Sequence, residues 1–206
     1  MNTVHVIFLL LLAYVLGSLP FGLWVGFAKG VDIRKLGSGN VGATNIVRNL
    51  GWGPGLVVFA ADIAKGVIPV LIAKAVEPDA WQGGVTTLCG ALAMAGHIFS
   101  PFLRFRGGRG VATALGVLLG LDWRVGIGGF VAWLAVVLIV RIVSVASIIA
   151  AASVPVLMWL FKDPRAYLWF GCPAAAIVIV RHWPNIKRLA RGTEPRWGKR
   201  EDERET

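Results

Sequence analysis

Seven apolar runs separated by short polar connections set the pattern of this chain. Residues 4–28 hold 25 positions with no charge except a titratable His5, enough at the helical rise to cross ~30 Å of hydrocarbon. The polar stretch 29–52 follows, with Lys29, Arg34, Lys35 and Arg48. The second run, 55–76, contains Asp62 and Lys65, three apart and therefore neighbours on one helical face. Charges inside a span are expensive unless paired, so these two are expected to neutralise each other as scaffold. The third run, 83–102, carries His97 near its end; structural and functional readings both fit that histidine. Residues 111–121 are apolar but only 11 long. That is too short for an ordinary span, so this run is expected to be either tilted into the preceding loop or buried between other helices. Runs 125–140 and 142–161 are divided only by Arg141 and contain small residues such as Gly126, Gly128, Gly129 and Ser147, suited to close helix contacts. The seventh run is 166–180, and the chain is charged from Arg181 onward.

Composition agrees with a membrane protein. Of 206 residues, 56% are hydrophobic and 16% charged, more apolar than a soluble core requires. The reading is an all-α integral membrane protein with seven transmembrane helices, one domain over 1–198 and a mobile charged C-terminal tail over 199–206. The first run has no basic leader and no small-residue cleavage site before Pro20-Phe21, so it reads as a retained helix rather than a signal peptide. Cys89 and Cys172 sit inside apolar runs as small hydrophobes, with neither a disulfide nor a metal site expected.

The net charge of +10 is decided by its distribution. If all seven runs span, one side collects Lys29, Arg34, Lys35, Arg48, Arg104, Arg106, Arg109, Arg141 and the eight basic residues of the tail, sixteen of 21 in all. Lys74, Arg124, Lys162 and Arg165 on the other side are offset by Glu77, Asp79, Asp122 and Asp163. The positive-inside rule then places the N-terminus outside and the C-terminus in the cytoplasm. Basic residues dispersed over short loops, with no stacking platform, argue against nucleic acid.

Three polar stretches face that same side. The first is GSGNVGATN, residues 37–45. Gly37, Gly39 and Gly42 permit backbone dihedrals that turn consecutive N–H groups toward one point, an expected nest for phosphate oxygens. Ser38, Asn40, Thr44 and Asn45 add side-chain donors, and Arg48 follows within a helical turn. The segment matches G-x-G-x-x-G, with Asp62 about twenty residues on. That dinucleotide fingerprint needs a preceding strand, whereas a membrane span precedes it here. As a nucleotide phosphate loop it has Ala43 where lysine is required, which argues against nucleotide hydrolysis.

The second stretch, LRFRGGRG at 103–110, has Arg109 between glycines that let a phosphate approach while the guanidinium closes over it. Gly107, Gly108 and Gly110 join it as candidates, whereas Arg104 reads as a helix-end anchor. In the third, RHWPNI at 181–186, His182 can donate to phosphate or accept a hydroxyl proton, and Asn185 lies one turn on. Ser144 and Ser147, early in the sixth run, complete the candidate phosphate contacts.

These three stretches, extended to GHIFSPFLRFRGGRGVATALG and RHWPNIKRLARGTE, resemble the bacterial acyl-phosphate:glycerol-3-phosphate acyltransferase family over nearly the whole chain. The resemblance implies a seven-helix enzyme of the bacterial inner membrane with its active site on the cytoplasmic side. It implies transfer of a fatty acyl group from acyl phosphate to the 1-hydroxyl of glycerol 3-phosphate, giving lysophosphatidic acid and phosphate, the first step of phospholipid synthesis. It places the residues needed for activity on Ser38 and Arg48, glycerol phosphate binding on 107–110, the third motif's histidine and asparagine on His182 and Asn185, and a structural glutamate on Glu194. Members commonly carry lysine where this chain has Arg109. Partners implied are the two substrates, the lipid bilayer and an upstream enzyme that forms the acyl phosphate; no cofactor or metal is implied.

Two phosphorylated substrates repel, so cations and N–H groups must offset that repulsion. No H-x-x-x-x-D pair follows His97 or His182, so the proton of the attacking hydroxyl passes to a substrate phosphate or to His182, with the phosphate preferred. The rival reading is a transporter for a small phosphorylated solute. Against it stand motifs gathered on one face and no evident inverted repeat.

Overall fold

The computed structural model describes residues 3–76 and 83–197. Glu77 and Asp79, expected to close the second run, and the expected tail at 199–206 lie outside the described residues. Those described are helical throughout their ordered elements: α1 Thr3–Ser18, α2 Phe21–Ala28, α3 Ala43–Leu50, α4 Trp52–Val76, α5 Gly84–Ile98, α6 Val111–Leu121, α7 Trp123–Val140, α8 Val143–Leu160, α9 Arg165–Arg181 and α10 Trp183–Ala190. Among the described residues five helical stretches are long and apolar enough to cross a membrane: Thr3–Ala28, Trp52–Val76, Gly84–Leu103, Trp123–Val140 and Val143–Leu160. The other two expected spans are shorter, 11 residues in α6 and 17 in α9.

The first run is broken in the middle. Pro20 has no N–H and caps the start of α2, so the helix stops and restarts there and the Ser18 and Leu19 carbonyls lose their helical donors. Side chains replace them: Lys65 Nζ donates to the Leu19 carbonyl (3.1 Å) and Ser100 Oγ to that of Ser18 (2.6 Å). Lys65 Nζ also lies 2.8 Å from Asp62 Oδ1. The pair expected from the sequence is therefore formed, and it closes the helix break as well as neutralising Asp62.

α6 is buried rather than extended. It packs along α4, where Gly66 faces the backbone of Thr113 and Gly116, and Gly116 faces that of Ile63 and Val67. A Cβ on either glycine would strike the other helix's backbone, so this seam depends on two small residues in register. Val70, Met94, Val117, Leu118, Val125, Met158 and Phe170 fill the main core between α4, α5, α6, α7, α8 and α9. Large apolar side chains such as Ile139 and Trp169, each 81% exposed, cover the exterior. That inverted surface, apolar outside and with a buried ion pair inside, suits a lipid solvent.

Candidate active site

The first polar stretch folds as a loop that ends in the amphipathic α3. Gly37 and Gly39 adopt positive φ (+52° and +68°), but the expected nest of amides is not open. Ser38 N–H donates to Asn45 Oδ1 (3.1 Å), Gly39 N–H to the Leu36 carbonyl (2.9 Å) and Gly42 N–H to Asn40 Oδ1 (2.9 Å). Asn45 is the organiser of this loop. It is buried, and its Nδ2 donates to the carbonyls of Leu36 (3.1 Å) and Asn40 (2.9 Å). Gly37 is required by this same residue, because a Cβ there would lie 2.7 Å from Asn45 Oδ1. What the loop turns outward is the Ser38 side chain and the first turn of α3, whose leading N–H groups have no partner within the helix.

The second stretch is held against α5. Gly107 N–H donates to the Ile98 carbonyl (2.9 Å) and Gly108 N–H to that of His97 (3.2 Å). The His97 ring occupies the space that a side chain on Gly108 would need. Its Nδ1 lies 3.8 Å from Asp62 Oδ1. His97 is thus both a packing surface for the glycine loop and part of the floor beneath it. Gly110 adopts φ +87° at the start of α6. Burial, with the charges of Arg188, Arg48 and Arg181 nearby, lowers the Arg109 guanidinium to about 10, which leaves it protonated at neutral pH.

The third stretch is the junction of α9 and α10. His182 is 2% exposed, and its Nδ1 lies 2.7 Å from the Val178 carbonyl oxygen. A carbonyl only accepts, so Nδ1 carries the proton and Nε2 of the neutral ring is an acceptor. Burial pushes His182 down to about 4. Asn185, also buried, donates from Nδ2 to Glu194 Oε1 (2.6 Å), while its Oδ1 is buried without a hydrogen-bond partner.

Glu194 ties these elements together. Its Oε1 also accepts from Ser144 Oγ (2.8 Å) and its Oε2 from Arg188 Nε (2.7 Å). Burial alone would raise this carboxyl, but the Asn185, Ser144 and Arg188 donors hold it below its ordinary value. The segment carrying it crosses the site as a strap. Arg48 Nη2 donates to the Pro195 carbonyl (3.4 Å) and Trp197 N–H to that of Arg141 (2.6 Å). The Trp197 ring packs 5.3 Å from Trp52 and 6.1 Å from Trp133.

These pieces enclose one cavity of about 160 Å³. Ser38, Asn40, Gly42, Thr44, Asn45, Arg48, Arg109, Gly110, Ser144, Ser147, His182 and Asn185 all line it. Gly37, Gly39, Gly107 and Gly108 are not on its wall: the first two hold positive φ, and a Cβ on either of the last two would meet His97. Ser144 and Ser147 have committed their hydroxyl protons, to Glu194 and to the Val143 carbonyl (2.9 Å).

Arg188, Phe130 and Trp133 line the cavity too and were not singled out in the sequence. Arg188 was within reach, since it lies three residues after Asn185 on one face of α10. Trp133, held by Nε1 donating to Ser147 Oγ (3.3 Å), has no local signature. One end of the cavity is cationic, with Arg48, Arg109 and Arg188 against Glu194; the other is apolar, walled by Leu115, Leu118, Phe130 and Val154. Such a space suits a molecule with a phosphate head and a fatty tail.

A family model described as glycerol-3-phosphate acyltransferase matches residues 7–192. The glycerol-3-phosphate acyltransferase of Synechococcus sp. (strain CC9902) is 46% identical over 193 residues, which is 93% of this chain and 95% of that one. Glycerol-3-phosphate acyltransferase 1 of Deinococcus radiodurans is 45% identical over 202 residues, 96% and 98% of the two chains. Two crystal structures of PlsY, an integral membrane glycerol 3-phosphate acyltransferase, share the fold at 42% identity and cover 94% of this chain and 96% of theirs. The glycerol 3-phosphate form superposes with a TM-score of 0.89 and the lysophosphatidic acid form with 0.87.

Proposed function

The chain belongs to the glycerol-3-phosphate acyltransferase family, and from that premise we propose that its cavity moves a fatty acyl group from acyl phosphate to the 1-hydroxyl of glycerol 3-phosphate. As a family member it is an integral membrane acyltransferase producing lysophosphatidic acid. The observation that carries the finer reading is the joining of a cationic end and an apolar end in one space. Arg48, Arg109 and Arg188 offset the charge of two phosphates that would otherwise repel. Ser38 and the first turn of α3 donate to phosphate oxygens, and the acyl chain runs toward Leu118 and Val154.

Glycerol 3-phosphate has two free hydroxyls, and the site offers two acceptors, His182 Nε2 and Asn185 Oδ1. With the 1-hydroxyl on Nε2, its oxygen lone pair faces the acyl carbonyl carbon within ~3.5 Å, a placement worth several kcal/mol of barrier. The hydroxyl oxygen forms the new ester bond, the bond from the acyl carbon to the phosphate oxygen breaks, and phosphate leaves with the electron pair. The hydroxyl proton has two bases to choose from. His182, at about 4, is weaker than a phosphate oxygen whose second proton titrates near ~6. The proton therefore ends on the departing phosphate, and His182 orients the hydroxyl.

The reading extends to topology: seven spans, with α6 and α9 as the short ones, N-terminus outside, C-terminus and cavity on the cytoplasmic side of a bacterial inner membrane. The asymmetry of basic residues supports it. Protein purified in detergent and given palmitoyl phosphate with glycerol 3-phosphate is expected to release phosphate and form lysophosphatidic acid only when both are present. Equal product from palmitoyl-coenzyme A would contradict the choice of donor.

A further inference from the structure

Arg181, the last residue of α9, does not line the cavity, yet it grips the loop that does. Its Nη2 donates to the Gly107 carbonyl at 2.9 Å and to the Gly108 carbonyl at 3.0 Å. The N–H groups of the same two glycines point the other way, to the carbonyls of Ile98 and His97. The dipeptide before Arg109 is thus clamped on both sides, its amides by α5 and its carbonyls by α9. A peptide unit free to turn would bring a carbonyl oxygen toward the space where an anion sits, and would swing the next residue with it.

We propose that Arg181 is a positioning residue for phosphate binding: by fixing the Gly107 and Gly108 carbonyls it sets the loop conformation from which the Arg109 guanidinium reaches the cavity. The arrangement also couples two stretches that lie more than seventy residues apart in sequence. The α9 end that presents His182 to the cavity is the end that holds Arg109 in place, so the groups facing the hydroxyl and the phosphate share one support. Side-chain choice fits this task, because one guanidinium nitrogen carries two donors in a fixed plane and bridges two successive carbonyls. Lysine at this position retains charge and donors but has shorter reach and no fixed plane.

The inference rests on Arg109 contacting substrate phosphate, and a double-mutant cycle separates the two claims. Arg109→Gln alone is expected to raise KM for glycerol 3-phosphate by tenfold or more, on the order of one charge-assisted hydrogen bond. Arg181→Met is expected to raise the same KM about tenfold with kcat changed about threefold or less, and Arg181→Lys, which keeps the charge but lacks the reach and the fixed plane, to recover only part of that loss. In the Arg109→Gln background, adding Arg181→Met should have little further effect, because one residue acts through the other. If Arg109→Gln leaves KM unmoved, the phosphate reading itself fails and the inference with it. If Arg109→Gln raises KM but Arg181→Met does not, or if the two effects multiply independently, only the positioning role is overturned. Should Arg181→Met not fold, Arg181→Gln takes its place in the cycle, with the same expected rise in KM; an unchanged KM there overturns the inference.

Discussion

His182 Nδ1 sits 2.7 Å from the carbonyl oxygen of Val178, one turn earlier in α9. That contact fixes the tautomer of the neutral imidazole, because the proton it holds on Nδ1 leaves Nε2 as an acceptor. A neutral ring held this way can accept a hydrogen bond from a hydroxyl at Nε2 and has no N–H there to give to a phosphate.

Its protonation is the first prediction. Burial lowers His182 to about 4, whereas an unfolded histidine titrates near ~6.5. The unfolded chain therefore binds a proton that the folded one refuses between those values, so this group's stabilisation is complete above ~6.5 and is lost as pH falls toward 4. NMR titration of labelled histidine, assigned by comparison with His182→Gln, should find this imidazole unprotonated at pH 5.5. A midpoint near 6.5 would remove the orienting role.

Glu194 supplies the second. Replacing it with alanine strands the Ser144 and Asn185 donors and the Arg188 guanidinium, at a cost of about 2–4 kcal/mol. The thermal unfolding midpoint should fall and activity with it. An unchanged midpoint would mean that the strap is not anchored there.

The acyl end gives the third. Gly129 lines the cavity, and a Cβ built on it would meet nothing within 4 Å. Gly129→Leu replaces a glycine in the interior of α7 with a better helix former, so it should not lower stability while placing a branched side chain in the tail's path. Turnover of acyl phosphates of graded length should then favour shorter chains than in the parent protein. An identical length profile would place the tail elsewhere.

Trp197 gives the fourth. Its ring contacts with Trp52 and Trp133 are each worth about 0.5–1.5 kcal/mol beyond area burial. Trp197→Ala should lower the unfolding midpoint and raise KM for the acyl donor, because Trp133 loses its backing. Unmoved kinetics would make the strap's end a passive extension.

The elements above were unequally visible in the chain. Long apolar runs and the glycine, arginine and histidine stretches carry local signatures, so the helices and two members of the cationic cluster, Arg48 and Arg109, are legible in the sequence, whereas Arg188 stands out only once α10 is placed beside them. The loop differs from the expected amide nest because asparagine serves a loop as readily as a ligand. Asn45 and Asn40 satisfy the very N–H groups expected to hold phosphate. The strap could not be read locally at all: Ser144 reaches Glu194 across 50 residues and Arg48 reaches Pro195 across 147. Charged and aromatic residues near a chain's end look like solvated surface until such partners are placed beside them.

The central claim is that three distant stretches form one cavity in which acyl phosphate and glycerol 3-phosphate lie together, with no acylated side chain between them. Initial rates measured while both concentrations are varied test it directly. A ternary complex predicts double-reciprocal lines that intersect, whereas parallel lines, the mark of a covalent acyl-enzyme formed and discharged in turn, would contradict it.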